Sequence, residues 1–207
     1  RNLPEGAKVT RLGPSPTGFI HLGNLYGAFV DERLARQSDG IFYLRIEDTD
    51  DKRYVEGAVE TIVTSLDFFG IDFDEGAGIT EDKGDYGPYY QSRRGEIYQC
   101  YVKELVKKGL AYPCFLTEEE IGEIRQKQEE EKKNPGIYGD YAACRELSLE
   151  EIETKLAAGE SYVMRLRSQG NEDPEKARTI SVEDGIRGVL SMPENYQDVV
   201  ILKATGI

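Results

Sequence analysis

The alternation of apolar and polar residues divides the first part of the chain into three segments. Residues 8–12 carry Val9 and Leu12 and read as a strand. Leu25, Phe29, Val30 and Leu34 then recur at helical spacing, which predicts a helix over 25–37, stopped by Ser38-Asp39-Gly40. Residues 41–46 are rich in β-branched and aromatic side chains and predict a second strand. Strand, helix and strand in so short a span predict a parallel pair with a right-handed crossover. Both carboxyl ends then lie on one sheet edge, where open α/β sheets bind ligands. Arg11, at the end of the first strand, and Glu47, just past the second, are expected to face one pocket.

The pattern continues less regularly. Val59, Ile62, Val63, Leu66 and Phe69 mark a helix over 55–69, followed by Gly70. Residues 71–90 read as loop. Ile97, Tyr98, Tyr101, Val102, Leu105 and Val106 mark another helix, closed by Gly109. Thr117 with Glu120 and Ser148 with Glu151 are capping boxes that open two further helices. Asn134-Pro135-Gly136 stops the first of these, whose tail, 126–133, lacks apolar residues and reads as a solvated face. Gly159 ends the second. Residues 162–166, 188–192 and 199–203 are strand-like, and the last two are expected to pair through the Pro-Glu-Asn turn at 193–195. The whole reads as half of a nucleotide-binding α/β sheet over 1–90, then a mixed α+β insertion over 91–207.

Composition narrows the setting. Three cysteines, Cys100, Cys114 and Cys144, are too few and too odd in number for a disulfide framework. There is no long apolar run and no signal peptide at the N-terminus, so a cytoplasmic protein without a membrane segment is expected. The net charge of −13 argues against a generic nucleic-acid binder. The imbalance is 17 acids to 9 bases up to Tyr90 and 22 to 17 beyond, so a local basic face fits the second part better.

Candidate chemistry concentrates in two stretches. The first is Arg11-Leu-Gly-Pro-Ser-Pro-Thr-Gly-Phe-Ile-His21-Leu-Gly-Asn24, between the first strand and its helix. It holds two prolines, three glycines, a serine, a threonine and the only histidine. Glycines let backbone approach a ligand closely, and helix N-terminal amides favour anions. No Gly-Lys-Ser/Thr closes the loop, so it is no Walker loop, and Gly-x-Gly-x-x-Gly is absent. The second stretch, Arg45-Ile-Glu-Asp-Thr-Asp-Asp-Lys-Arg53, has carboxylates at Glu47, Asp48, Asp50 and Asp51. On residues alone they suit an ammonium group or a metal as well as the cap of the next helix.

Joined to Arg-x-x-Pro-Ser-Pro-Thr-Gly, His21-Leu22-Gly23-Asn24 resembles the HIGH signature of class I aminoacyl-tRNA synthetases. Arg-Ile-Glu-Asp-Thr-Asp and Gly87-Pro-Tyr-Tyr-Gln-Ser-Arg-Arg94 sharpen the resemblance to the bacterial glutamyl-tRNA synthetases. The resemblance implies the first half of a Rossmann-like catalytic domain followed by an insertion that packs on the tRNA acceptor end. It implies ligation of L-glutamate to tRNA(Glu) through glutamyl-adenylate, with ATP and Mg2+. It places Arg11 on the substrate side-chain carboxylate, Glu47 on the α-ammonium, and Gly13 and Ser15 among the substrate contacts. Pro14, Ser15, Thr17, Gly18, His21, Gly23 and Asn24 are implied for ATP, with His21 and Asn24 catalytic. Asn24 stands where the signature has its second histidine. Asp50 and Arg53 are implied to orient the acidic loop.

Family members that bind zinc use Cys-x-Cys and a later Cys-x-His. Here Cys114 stands with Leu116 and Cys144 with Glu146, so two of four ligands are replaced and zinc is not expected. Glutamyl-queuosine-tRNA(Asp) synthetases are the nearest alternative, but they read Ile-Glu-Asp-Ile-Asp. The other alternative is a catalytically incomplete tRNA-binding fragment. The family's lysine-rich KMSKS loop, second catalytic half and anticodon-binding domains have no counterpart in these residues. A partial chain is therefore expected, inactive by itself, with a monomeric full-length enzyme.

Overall fold

The first strands pair as the alternation predicts. In the computed structural model, which describes residues 2–50 and 52–207, β1 (Val9–Leu12) and β2 (Ile41–Leu44) run parallel. Val9 faces Ile41 and Leu12 faces Leu44. A third parallel strand, β3 (Glu75–Gly76), adds to β2 inside the stretch read as loop. Two residues, one of them an acid, leave no alternation to read. Gly76 sits at φ +152°, and a Cβ there would lie 2.6 Å from the Leu44 carbonyl oxygen, so no larger residue fits.

The helix α1 (Leu22–Arg36) starts earlier than its apolar stripe, because His21 caps it. Its packing also differs from expectation. Ala28 and Ala35 are fully buried, whereas Phe29, Val30 and Leu34 are 46%, 37% and 36% exposed. Small residues let the helix backbone approach the sheet closely. Asp31 carbonyl accepts the Thr10 hydroxyl of β1 at 2.7 Å. The helix α2 (Ala58–Phe68) packs Ile62 and Leu66 into the same core as Leu12, Phe42 and Leu44. Both helices thus cover one face of the sheet. Val55 lies outside α2, and its amide bonds to the Pro16 carbonyl at 2.9 Å instead.

The chain divides into two compact units, one ending at Gly95 and one spanning Glu96–Gly206. In the second, α3 (Gly95–Lys107) packs Val102 and Leu105 with Ala111 and Met164. An antiparallel sheet orders β4 (Ala111–Cys114), β5 (Val163–Leu166) and β8 (Val200–Leu202), with β5 central. The sequence reading missed β4 because Pro113 interrupts it, and its place at the sheet edge tolerates a proline. β6 (Thr179–Asp184) and β7 (Gly188–Pro193) form a separate hairpin, so 188–192 does not pair with 199–203. The Asp184 carboxylate accepts from the amides of Ile186 and Arg187 at 2.9 and 2.7 Å, which closes the hairpin locally. Such a short-range turn outcompetes a pairing across Pro193.

The helices α4 (Glu118–Glu130) and α5 (Leu149–Ala157) carry both predicted capping boxes. The tail of α4 is not uniformly solvated. Gln128 is fully buried, donating to the Gly136 carbonyl at 2.7 Å and accepting its amide at 2.9 Å. A polar residue is buried here because it satisfies both backbone groups of the turn that follows. Asp198, also fully buried, accepts from the Tyr112 hydroxyl at 2.7 Å and the Ser168 amide at 2.8 Å. Burial and the Asp198 carboxylate push the Tyr112 hydroxyl well above its ordinary pKa.

Two outcomes test this packing. Asp74 joins α1 to β2, accepting from Arg36 Nη1 at 2.7 Å and the Phe42 amide at 2.9 Å. Burial opposes its charge, but these donors outweigh it and hold the carboxyl below the ordinary 3.8. Asp74→Ala is expected to lose about 2 kcal/mol in urea unfolding at pH 7. Because the folded pKa is depressed, that contribution is present above pH 3.8 and fades as pH falls through the folded value. Wild type and variant should converge in strongly acidic solution. Gln128→Ala should cost about 2–4 kcal/mol in urea unfolding, since it leaves a void and two unsatisfied backbone groups. Gln126→Ala should stay within about 0.5 kcal/mol.

Candidate active site

Past β1 and β2 the two segments stay zipped together. The Arg45 amide donates to the Leu12 carbonyl at 3.0 Å and the Glu47 amide to the Pro14 carbonyl at 2.9 Å. On its other side the Ile46 amide donates to the Tyr89 carbonyl at 2.9 Å. The alternation of β1 persists through the loop: Leu12, Pro14 and Pro16 are buried, while Arg11, Ser15 and Thr17 are exposed. The apolar and proline positions thus anchor the loop, and the polar ones stay open to solvent.

On the open side, Arg11 and Glu47 form an ion pair. Arg45 Nη2 reaches the same Glu47 Oε1 at 3.1 Å. The two side chains therefore meet at one sheet edge, each holding the other. Gly13 leaves the room they occupy: a Cβ there would lie 2.8 Å from Glu47 Oε1 and closer still to the Arg11 guanidinium. Asp31, on α1, is also near, and burial raises its carboxyl pKa against the pull of Arg11.

His21 is the N-cap of α1, with extended backbone at φ −102° and ψ 166°. Its Nδ1 accepts the Gly23 amide at 3.1 Å, and Asn24 Oδ1 accepts the His21 amide at 3.5 Å. The capping box is therefore built from His and Asn in place of Ser/Thr and Glu. An Nδ1 that accepts carries no proton, so the neutral ring carries it on Nε2, away from the helix. The first turn of α1 holds no acid, so its amide end remains electropositive. Ser15, Thr17 and His21 are exposed, Gly18 and Asn24 less so, and the Thr17 amide turns back to the Ser15 carbonyl at 2.9 Å. Hydroxyls, an imidazole donor and a helix N-terminus thus lie along one open loop.

Among its described residues the acidic stretch does not gather into a metal site. Glu47 turns to the two arginines, Asp48 accepts from the Ser92 amide and hydroxyl at 2.8 and 2.6 Å, and Asp50 pairs with Arg53 at 2.7 Å. The Arg53 guanidinium holds the Asp50 carboxyl below its ordinary pKa. Asp51 lies outside the described residues. Nor does the stretch cap α2, whose N-cap is Gly57 without a side-chain acceptor. Sequence reading assigned nothing to Arg45 or to the Asp48–Ser92 contact. The available signal was the start of a helical segment at Ser92, whose unpaired amides favour a carboxylate acceptor.

Cys114 and Cys144 share one buried cluster, and the Phe115 amide donates to Cys144 Sγ at 3.4 Å. A thiol hydrogen bond between them lowers the pKa of Cys114 and raises that of Cys144, which burial raises further. Leu116 packs into that cluster, and Glu146 is largely exposed and reaches Arg167 at 3.4 Å. Among the described residues no three His, Cys, Asp or Glu side chains gather as metal ligands, so the residues present do not fit a four-ligand zinc. No helix of the described residues is long and apolar enough to cross a membrane.

This chain is similar to known proteins along nearly all of its length. The family described as "tRNA synthetases class I (E and Q), catalytic domain" matches residues 8–207. A glutamate–tRNA ligase of Acetivibrio thermocellus is 63% identical over the whole chain, and one of Clostridium perfringens 54%. The chain spans 37% of the length of both. A crystal structure of a glutamate tRNA ligase from Elizabethkingia meningosepticum, in complex with its amino acid, superposes with TM-score 0.83 at 35% identity. That match covers 96% of this chain and 39% of the other. A parallel sheet whose first βα loop ends on a histidine-capped helix, matched along nearly all its length, places this chain in the class I tRNA synthetase catalytic-domain family of the E and Q type.

Proposed function

We propose that the protein carrying this chain ligates L-glutamate to tRNA(Glu) in the cytoplasm, through glutamyl-adenylate formed from glutamate and ATP with Mg2+ present. The observation that carries the reading is the placement of Arg11 and Glu47, opposite charges at the carboxyl ends of adjacent parallel strands. A dicarboxylic amino acid needs both: a guanidinium fork for its side-chain carboxylate and a carboxylate for its α-ammonium. The glutamate–tRNA ligases among the relatives support the same substrate.

In this reading the α-carboxylate oxygen attacks the α-phosphorus of ATP. The bond to the β-phosphate oxygen breaks, and pyrophosphate leaves. A hydroxyl of the terminal tRNA adenosine then attacks the acyl carbon, and AMP departs. No enzyme nucleophile is needed, so the chain contributes alignment and charge stabilisation. The His21 Nε2–H and the amide end of α1 offer donors to phosphate oxygens. Pro14, Ser15, Thr17, Gly18, Gly23 and Asn24 shape the bed for ATP, and Gly13 and Ser15 border the amino acid. Residues 1–90 act as the first catalytic half. Residues 91–207 meet the acceptor end of tRNA. The intact enzyme works as a monomer, and these residues alone lack the cationic groups needed for turnover.

His21 has two separable duties, capping and donation, and the test uses both. His21→Asn keeps a side-chain acceptor for the cap, so thermal stability should stay near wild type. Its charging rate should still fall about 100-fold, the typical effect of losing one transition-state donor. His21→Ala should lose the same activity and also about 1 kcal/mol of stability. Both are read in the full-length protein by tRNA charging and thermal melting. Near wild-type charging by His21→Ala, which keeps no side-chain donor, would overturn the donor role.

A further inference from the structure

One carboxylate oxygen, Glu47 Oε1, is reached by two guanidinium groups. Arg11 comes from β1, and Arg45 comes from two residues upstream at 3.1 Å. The trio carries a net charge of plus one. Its members differ in exposure: the Arg45 side chain is 22% exposed, Glu47 33% and Arg11 36%. Arg45 Nε is buried, with no hydrogen-bond partner among the described residues. The Arg45 backbone is tied to Leu12 and its neighbour Ile46 to Tyr89. Arg45 is therefore the more enclosed cation, and Arg11 the one that faces solvent beside Gly13.

The functional reading above, on which this inference rests, creates a conflict. Arg11 is to hold the substrate's side-chain carboxylate, yet its Nη1 is engaged by Glu47. Glu47 is to hold the α-ammonium, yet its oxygen is engaged by Arg11. We propose that Arg45 is the positioning residue that resolves this: it holds Glu47 in place while glutamate displaces Glu47 from Arg11. The resting site has two ion pairs, Arg11–Glu47 and Arg45–Glu47. The occupied site has three: Arg11 with the incoming side-chain carboxylate, Arg45 with Glu47, and Glu47 with the α-ammonium. No bond or proton changes hands, and charge balances at each position. An amino acid with a neutral side-chain amide offers Arg11 no charge to replace Glu47. The resting pair thus opposes such a ligand before any contact with tRNA.

The test is a double-mutant cycle in the full-length protein, read as steady-state constants for glutamate and ATP in tRNA(Glu) charging. Arg45→Met is expected to raise KM for glutamate about tenfold or more, with KM for ATP within about threefold. Arg45→Lys should recover most of that loss, because it keeps the charge. In a Glu47→Gln background, which has no carboxylate to hold, Arg45→Met should add less than about threefold. Should Arg45→Met melt too early to assay, the same cycle runs with Arg45→Lys and Arg45→Gln. The inference is overturned if the Arg45 loss persists in full on Glu47→Gln, or if both substrates' constants rise together. Either result would make Arg45 a support of the loop alone. A full-length protein that charges no glutamate, or an Arg11→Ala variant with unchanged KM for glutamate, would overturn the functional reading itself.

Discussion

The parallel register of β1 on β2 is the constraint on which the candidate site depends. Leu12 opposite Leu44 sends Arg45 onto the Leu12 carbonyl and Glu47 onto the Pro14 carbonyl. That places the Glu47 carboxylate on the Arg11 guanidinium, within reach of Arg45. Side chains alternate between sheet faces, so a slip of one residue would send Glu47 to the helix side, into Leu12, Phe42 and Leu44. A charge buried there without partners is strongly unfavourable. The apolar face and the charged edge therefore enforce the same register.

The loop between β1 and α1 follows from that register. It continues the strand's alternation, so Pro14 and Pro16 are anchors and the residues between them are presented outward. Gly13 keeps clear the volume that Arg11 and Glu47 fill. His21 then does two things through one ring: Nδ1 ends the loop by capping α1, and the cap leaves the proton on Nε2. Structure and chemistry are coupled at this residue, because the helix cap selects the donor tautomer.

The second unit carries buried polar groups beside its two apolar clusters. Asp198 gathers Tyr112 and Ser168 from separate segments. Gln128 satisfies both backbone groups of Gly136. Each is enclosed only because every partner is present, so these residues fix geometry as well as burying volume.

The sequence by itself determined the local features of this protein. The first two strands and the helices follow from their own residue patterns, and both Thr/Ser capping boxes rest on contacts within a few residues. The loop from Arg11 to Asn24 was legible because its residue types are unusual at any strand-to-helix corner. Only the tertiary structure decided the rest, and in each case through contacts distant in sequence. β3 exists because Leu44 offers it an edge. Alanines, and not Phe29 or Leu34, face the sheet because only they allow close approach. Gln128 is inside because Gly136 needs it. Residues 188–192 pair backward to β6 because Asp184 closes that hairpin first. Glu47, Asp48 and Asp50 looked like one acidic cluster, yet Arg11 with Arg45, Ser92 and Arg53 draw them apart. Adjacent carboxylates repel one another, and the direction each takes is set by donors that spacing alone cannot locate.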